Sequence, residues 1–198
     1  MRKGGPLPEV TLTESPPRPE LLRQLSARLG ELIPGGRVLA ERILGAESPI
    51  DLVVLEPTGR VALVMVGADG EDLELVGRGL AQRAWVQARL GDWLQLAPHL
   101  GVRPEAGVKV WVICPGIRPE AVAAAAQLGP DAFGMAVYRC VHNGSSVETL
   151  VEAISGGPPP RATPPPPTTA HAIEAPAFRT SLTDADLGLT TEEISEFE

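Results

Sequence analysis

The stretch that decides the fold is residues 49–67, which read PIDLVVLEPTGRVALVMVG. Two apolar runs, 50–55 and 60–66, are separated by the turn Pro57-Thr58-Gly59. Apolar, β-branched runs joined by a short turn predict a β-hairpin. A further run, residues 108–114, is strongly apolar and is expected to be a strand buried on both faces.

Working outward from the hairpin, apolar spacing and turn residues predict helices and strands on both sides. The predicted elements are a helix at 19–33, a strand at 37–44, the hairpin, a helix at 73–97, a strand at 108–114, a helix at 119–128 and strands at 133–142 and 147–154. The segment 147–154 is also compatible with a short helix. This order predicts an α/β (α+β) fold, with a mixed central β-sheet flanked by helices.

The composition divides the chain into four parts. Residues 1–17 are proline-rich without apolar periodicity and are predicted to be disordered, and residues 18–154 form the α/β core. Residues 155–175 contain two proline runs, which are typical of a semi-stiff linker. Residues 176–198 form an acidic amphipathic tail.

The tail carries six acidic residues and one basic residue, and Thr190 with Glu193 fits a capping box at the start of a short helix. It also carries large apolar residues that a purely solvating tail would not need: Phe178, Leu182, Leu187, Leu189, Ile194 and Phe197. These six residues predict a docking segment. The segment would bind either a protein partner or the chain's own core, and the sequence does not choose between them.

The charge balance disfavours nucleic acid as a partner. The formal net charge is −8, and residues 20–153 alone hold 12 basic and 16 acidic residues. Proteins that bind the phosphates of nucleic acids normally present a basic surface. The N-terminus lacks the apolar region of a signal peptide, and no apolar run approaches a membrane span, so a cytoplasmic location without a membrane partner is predicted. The oligomeric state is left open, including a homo-oligomer.

The hairpin also carries a resemblance. Pro49-Ile50-Asp51-Leu52-Val53 and the turn Glu56-Pro57-Thr58-Gly59-Arg60 resemble the PD-(D/E)xK, or restriction-endonuclease-like, nuclease superfamily, and the order of elements is similar from about Leu21 to Val141. The resemblance implies a restriction-endonuclease-like core in which Asp51 is the metal-binding aspartate. The superfamily's Glu-x-Lys motif would then fall on the second strand, at Met65-Val66-Gly67.

This chain departs from the superfamily at both motif positions. Met65 stands in place of the glutamate, and a thioether is a poor ligand for Mg²⁺. Gly67 stands in place of the lysine and offers no cation to the reaction. The superfamily's chemistry needs a metal held between carboxylates, so Asp51 alone is interpreted as vestigial. The sequence therefore predicts no catalytic residues, no metal site and no cofactor.

Three hypotheses follow. The first is a non-catalytic interaction or scaffold protein on a degenerate nuclease-like fold, with the tail as its docking segment. The second is a metal-dependent DNA nuclease in which acids such as Glu71, Asp72 and Glu74 join Asp51, and only this alternative requires Mg²⁺. The third is an acidic DNA mimic or inhibitor, which predicts acids clustered on one face.

Overall fold

The computed structural model describes residues 10–46, 48–143 and 146–156. Its strands are β1 (Val10–Thr13), β2 (Arg37–Leu44), β3 (Pro49–Leu55), β4 (Val61–Val66), β5 (Val108–Cys114), β6 (Phe133–Asn143) and β7 (Ser146–Ser155). Its α-helices are α1 (Arg18–Arg28), α2 (Asp72–Gln87), α3 (Leu90–Leu96) and α4 (Pro119–Ala126). Short 3₁₀ turns lie at Leu29–Glu31, Pro98–Leu100 and Pro104–Ala106.

The strands form one mixed sheet. Strands β2, β3 and β4 are antiparallel neighbours, β5 runs parallel to both β4 and β6, and β6 and β7 form an antiparallel hairpin. The predicted central hairpin is β3–β4, with Leu52 opposite Val64. The predicted fold class, a mixed sheet flanked by helices, is therefore confirmed, and so is the strand interpretation of 147–154.

Each face of the sheet is covered by helices. On one face, α2, α3 and α4 contribute Leu75, Leu90 and Ala121 to an apolar cluster that includes alternate residues of β4 and β5. On the other face, α1 contributes Leu22 and Leu25 to a second cluster with the remaining residues of these strands. Every residue of β4 and β5 is buried as a result, which explains why the two strands are apolar in sequence at every position except Lys109.

Two boundaries differ from the sequence prediction. Residues 10–13, predicted to be disordered, form β1, which pairs antiparallel with residues 140–143 of β6. Main-chain hydrogen bonds of this kind leave little trace in side-chain periodicity, and Leu12 is exposed. The helix predicted over 73–97 is two helices, since α2 ends at Gln87 and α3 begins at Leu90.

The linker beyond Gly156 and the tail residues Phe178, Leu182, Leu187, Leu189, Ile194 and Phe197 lie outside the described residues. In the part of the chain that is described, no helix combines the length and apolar character needed to cross a membrane.

Candidate functional site: the edge of the sheet at Asp51

The residues that carry the nuclease motif meet at one edge of the sheet. Asp51 lies near the start of β3, next to the point where the antiparallel strand β4 ends. The last paired residues at this end of the hairpin are Leu52 and Val64, and the next residues along each strand are Asp51 and Met65. The fold therefore brings the motif positions together, as the resemblance implies.

The Asp51 carboxylate is buried, and both of its oxygens are occupied. Oδ1 accepts a hydrogen bond of 2.7 Å from Nη2 of Arg18, and Oδ2 accepts one of 2.8 Å from the backbone N–H of Val66. The same Arg18 nitrogen donates to the carbonyl oxygen of Val66 at 2.9 Å. One guanidinium thus joins the start of β3 to the end of β4, beside a carboxylate that would otherwise be a buried, unpaired charge.

Sequence reasoning missed Arg18. It is the first residue of α1 and precedes Pro19, whose fixed φ suits the first turn of a helix. Helix α1 packs along the sheet through Leu21, Leu22 and Leu25, and this packing places its first residue over the edge that holds Asp51. The only signal in the sequence was a basic residue at the helix start, and it does not reveal a partner 33 positions away.

The two positions that depart from the motif are built into the core. Met65 has no exposed surface and belongs to the apolar cluster formed with α2 and α4. At Gly67, whose N–H donates to the carbonyl of Ile113, a Cβ atom would lie 2.4 Å from Cδ1 of Leu75 and 2.9 Å from Sγ of Cys114. Any side chain at position 67 would therefore displace buried neighbours.

The acids proposed as relocated ligands have partners of their own. Asp72 is buried, and its carboxylate accepts hydrogen bonds from the backbone N–H of Arg118 at 2.7 Å and from the Nε of Arg118 at 2.9 Å. The Glu71 carboxylate accepts a hydrogen bond from the backbone N–H of Ala68, and Oε1 of Glu74 lies 3.7 Å from Nη1 of Arg78. None of these contacts includes Asp51, so the structure does not bring the two sets of acids into one cluster.

The pKa of Asp72 shows which effect dominates in this loop. Burial opposes the charged form, but the side-chain and backbone hydrogen bonds from Arg118 outweigh it and hold the pKa of the Asp72 carboxyl below its ordinary value. Asp72 is therefore ionised and neutralised by Arg118 at neutral pH. Its charge ties the start of α2 to the loop before α4.

Neighbouring groups at this edge are not activated. Burial, with a contribution from the nearby Asp72 charge, raises the pKa of the Cys114 thiol to about 12, so the thiolate is not formed at neutral pH. Burial likewise raises the pKa of Tyr138, whose hydroxyl lies 3.4 Å from the carbonyl oxygen of Gly67 and 3.3 Å from Oγ of Ser15.

The residues present do not fit the Mg²⁺ ion that the nuclease resemblance implies. The two oxygens of Asp51 are bound to Arg18 and Val66, and the adjacent motif side chain is a thioether. Across residues 10–46, 48–143 and 146–156, no three His, Cys, Asp or Glu side chains are grouped closely enough to hold a metal ion. Hard divalent cations need several oxygen ligands around one point.

The similarity of this chain to known proteins is confined to solved structures. No protein-family model and no curated protein matches the sequence. Among solved structures, a repair endonuclease from Pyrococcus abyssi is similar over 63% of this chain and 48% of its own, with 12% identity and a TM-score of 0.45. The structure of an EndoMS–dsDNA complex is similar over 60% of this chain and 44% of its own, with 9% identity and a TM-score of 0.35.

A third structure, SfsA from Pyrococcus furiosus in complex with Ca²⁺, is similar over 66% of this chain and 57% of its own, with 16% identity and a TM-score of 0.32. The chain spans about half the length of the first two structures, 48% and 44%. The functional argument for this chain therefore rests on its own residues.

Proposed function

We propose that the chain is a catalytically degenerate, nuclease-like domain that acts as a non-catalytic interaction or scaffold protein. The observation that carries the proposal is the ion pair between Arg18 and Asp51, 2.7 Å long, with the Asp51 side chain only 6% exposed. In the nuclease reaction a metal ion would bind this carboxylate. Here the protein supplies a permanent cation of its own at that carboxylate.

The chemistry of the pair supports a structural role. A guanidinium stays protonated across the physiological range. Unlike a metal ion, it does not bind a water molecule and activate it as a nucleophile. Its donors tie Asp51 to the carbonyl of Val66, so they connect two strands. A nuclease with relocated ligands would need the acids near α2, and those acids bind Arg118, Ala68 and Arg78.

The first prediction is that the full chain does not cleave DNA. We expect no cleavage of single- or double-stranded DNA with Mg²⁺ or Mn²⁺ above that of Asp51→Asn, because among the described residues Asp51 belongs to no group of three side chains that could hold a metal ion. The measurement is a gel assay on labelled substrates over a range of metal concentrations. Metal-dependent cutting that Asp51→Asn abolishes would contradict the proposal and support the relocated-ligand nuclease.

The second interaction element in this proposal is the tail, residues 176–198. Its support is the sequence alone, which spaces six large apolar side chains among six acids at the end of a proline-rich linker. Such a tether raises the local concentration of the docking segment near its target. The acidic DNA-mimic alternative predicts surface acids clustered on one face, and the three buried acids of the described core, which each bind an arginine, do not contribute to such a face.

If the docking segment, residues 176–198, binds the chain's own core, its backbone amides should exchange slowly. In the full chain, hydrogen–deuterium exchange of residues 176–198 is expected to be slower than in the isolated peptide of the same sequence if the segment docks on its own core. Replacing Phe178, Leu187 and Ile194 with Ser should remove the difference, because apolar burial would be lost. Replacing Thr180, Thr183 and Thr191 with Ser is the matched control. Equal exchange in the chain and the peptide would contradict docking on the core.

A further inference from the structure

The buried charged side chains of the core differ in whether they have an ion-pair partner. Four charged side chains are buried in the described part of the chain: Asp51, Glu56, Asp72 and Lys109. The three acids each have an arginine nitrogen within 2.8 Å. Lys109 has no carboxylate oxygen within 4.0 Å among the described residues. A buried charge without a partner is unfavourable, so Lys109 is the exception that needs a physical account.

The surroundings of Lys109 satisfy only part of its hydrogen-bonding capacity. It lies on β5, and its Nζ donates to the carbonyl oxygen of Gly156 and stands 4.8 Å from the centre of the Trp111 ring. An ammonium group has three N–H donors. The indole Nε1–H of Trp111 is also buried, and it is the one buried side-chain N or O atom in the described residues without a hydrogen-bond partner.

Both residues line the same cleft. It has a volume of about 250 Å³ and lies at the end of β4 and β5 opposite to Asp51, where these two strands begin. Apolar walls come from Leu32, Ile33 and three prolines, and Arg60, Glu56 and Asp131 supply further charge. Arg60 lies 2.8 Å from Glu56 and 3.7 Å from Asp131, so Arg60 is the ion-pair partner of both acids, whereas Lys109 has no carboxylate oxygen within 4.0 Å among the described residues.

We propose that this cleft is a binding site for an oxyanion, a carboxylate or phosphate group carried by a small ligand, with Lys109 as its counter-charge. An oxyanion supplies both things that the site lacks, a negative charge for the ammonium and acceptor oxygens for its remaining donors. The apolar walls would pack against the rest of the ligand. The inference does not depend on the proposed interaction role, because it concerns the opposite edge of the sheet.

The electrostatics of the cleft define how binding should vary with pH. Burial, together with the nearby Arg60 charge, lowers the pKa of Lys109 against the opposing influence of Glu56 and Asp131. Only the protonated amine attracts an oxyanion. Binding should therefore be strongest below the pKa of Lys109 and weaken as the pH rises through it, and a bound oxyanion should in turn raise that pKa.

The experiment uses the full chain labelled with ¹⁵N and follows its indole N–H signals in NMR spectra. The three tryptophans, Trp85, Trp93 and Trp111, give three signals, and Trp111→Phe identifies the one of interest. Sodium phosphate and sodium acetate are titrated in separate arms at constant ionic strength. These arms distinguish the two sources of the oxyanion, and sodium chloride reports the effect of salt alone.

We expect the Trp111 signal to shift and saturate with at least one of the two oxyanions, and Lys109→Met to weaken the apparent affinity at least tenfold. The matched control is Arg42→Met, which removes an exposed cation on β2. A saturable shift that persists unchanged in Lys109→Met would overturn the proposal, as would no saturable shift with either anion. If Lys109→Met fails to fold, the pH dependence of acetate binding to the native protein decides the matter, because acetate keeps a constant charge above its own pKa. Affinity that weakens as the pH rises supports the proposal, and a pH-independent affinity would overturn it.

Discussion

Introducing the superfamily's Glu-x-Lys motif by Met65→Glu with Gly67→Lys is expected to give a destabilised protein that still does not cleave DNA. Position 65 has no exposed surface and lies in the apolar cluster beneath α2 and α4. A glutamate there would be a buried charge, and the arginines at this end of the sheet, Arg18 and Arg118, are already bound to Asp51 and Asp72. An uncompensated buried charge destabilises a protein by about 3–5 kcal/mol.

The second substitution adds a steric penalty. A Cβ atom at Gly67 would approach Leu75 to 2.4 Å and Cys114 to 2.9 Å, and the rest of a lysine side chain would need still more room. Overpacking of this kind in a well-packed core destabilises by about 1–3 kcal/mol. The same Cβ atom would lie 3.3 Å from Oε2 of Glu71, so the lysine side chain would be directed toward α2 and a carboxylate that already accepts from the N–H of Ala68.

The measurement is urea unfolding of the single and double variants, followed by the DNA cleavage assay on whatever fraction stays folded. Met65→Leu is the control for position 65, because it keeps volume and polarity and should change stability little. Gly77→Lys is the control for position 67. Gly77 lies on the exposed side of α2, and a Cβ atom added there would meet no neighbouring atom within 4 Å, so lysine should be tolerated. A folded double variant with metal-dependent nuclease activity would refute this account of the site.

The sequence predicted the sheet well because buried strands carry their signal locally. Continuous apolar runs and the Pro57-Thr58-Gly59 turn were enough to place β3 and β4 and to predict their pairing. The family resemblance put Asp51 on the first strand of this hairpin, and the structure has it near the start of β3. What could be predicted was the position of each motif residue along its own strand.

The sequence could not reveal contacts between distant segments. Arg18 and Asp51 are 33 positions apart and belong to different elements, and no periodicity links them. Strand β1 was missed for the same reason, since its pairing with β6 joins positions more than 120 residues apart through the main chain. In the sequence, Lys109 is a single polar residue within an otherwise apolar strand. Its surroundings depend on five separate segments that meet at one cleft.

A common principle connects the two edges of the sheet. At the edge of Asp51, Asp72 and Arg118, each buried charge is neutralised inside the protein, and such a site has little left to offer a ligand. At the opposite edge, Lys109 has no carboxylate oxygen within 4.0 Å among the described residues, and the buried indole N–H of Trp111 beside it has no hydrogen-bond partner among them. Perturbed, unpaired ionisable groups in clefts mark candidate binding sites. The fold resemblance points to the first edge, whereas the electrostatics favour the second.

Arg18→Met is expected to lower the free energy of unfolding by about 2–4 kcal/mol, because it leaves the Asp51 carboxylate buried without its counter-charge. The expected loss lies below the largest values for buried pairs because the Arg18 side chain is 53% exposed, so water can partly replace it. The N–H of Val66 would remain as one donor to Asp51. Urea unfolding at pH 7 measures the loss.

The double variant Arg18→Met with Asp51→Asn separates a structural pair from a suppressed active site. If the pair is structural, Asp51→Asn should recover part of the stability lost in Arg18→Met, since the buried charge is gone and the coupling between the two positions is measurable. Arg23→Met is the matched control; it breaks a pair with Glu20 on the exposed side of α1 and should leave stability nearly unchanged. Removing Arg18 could instead leave the free energy of unfolding unchanged and allow metal-dependent DNA cleavage. In that case Arg18 blocks a catalytically competent site, and the non-catalytic assignment is wrong.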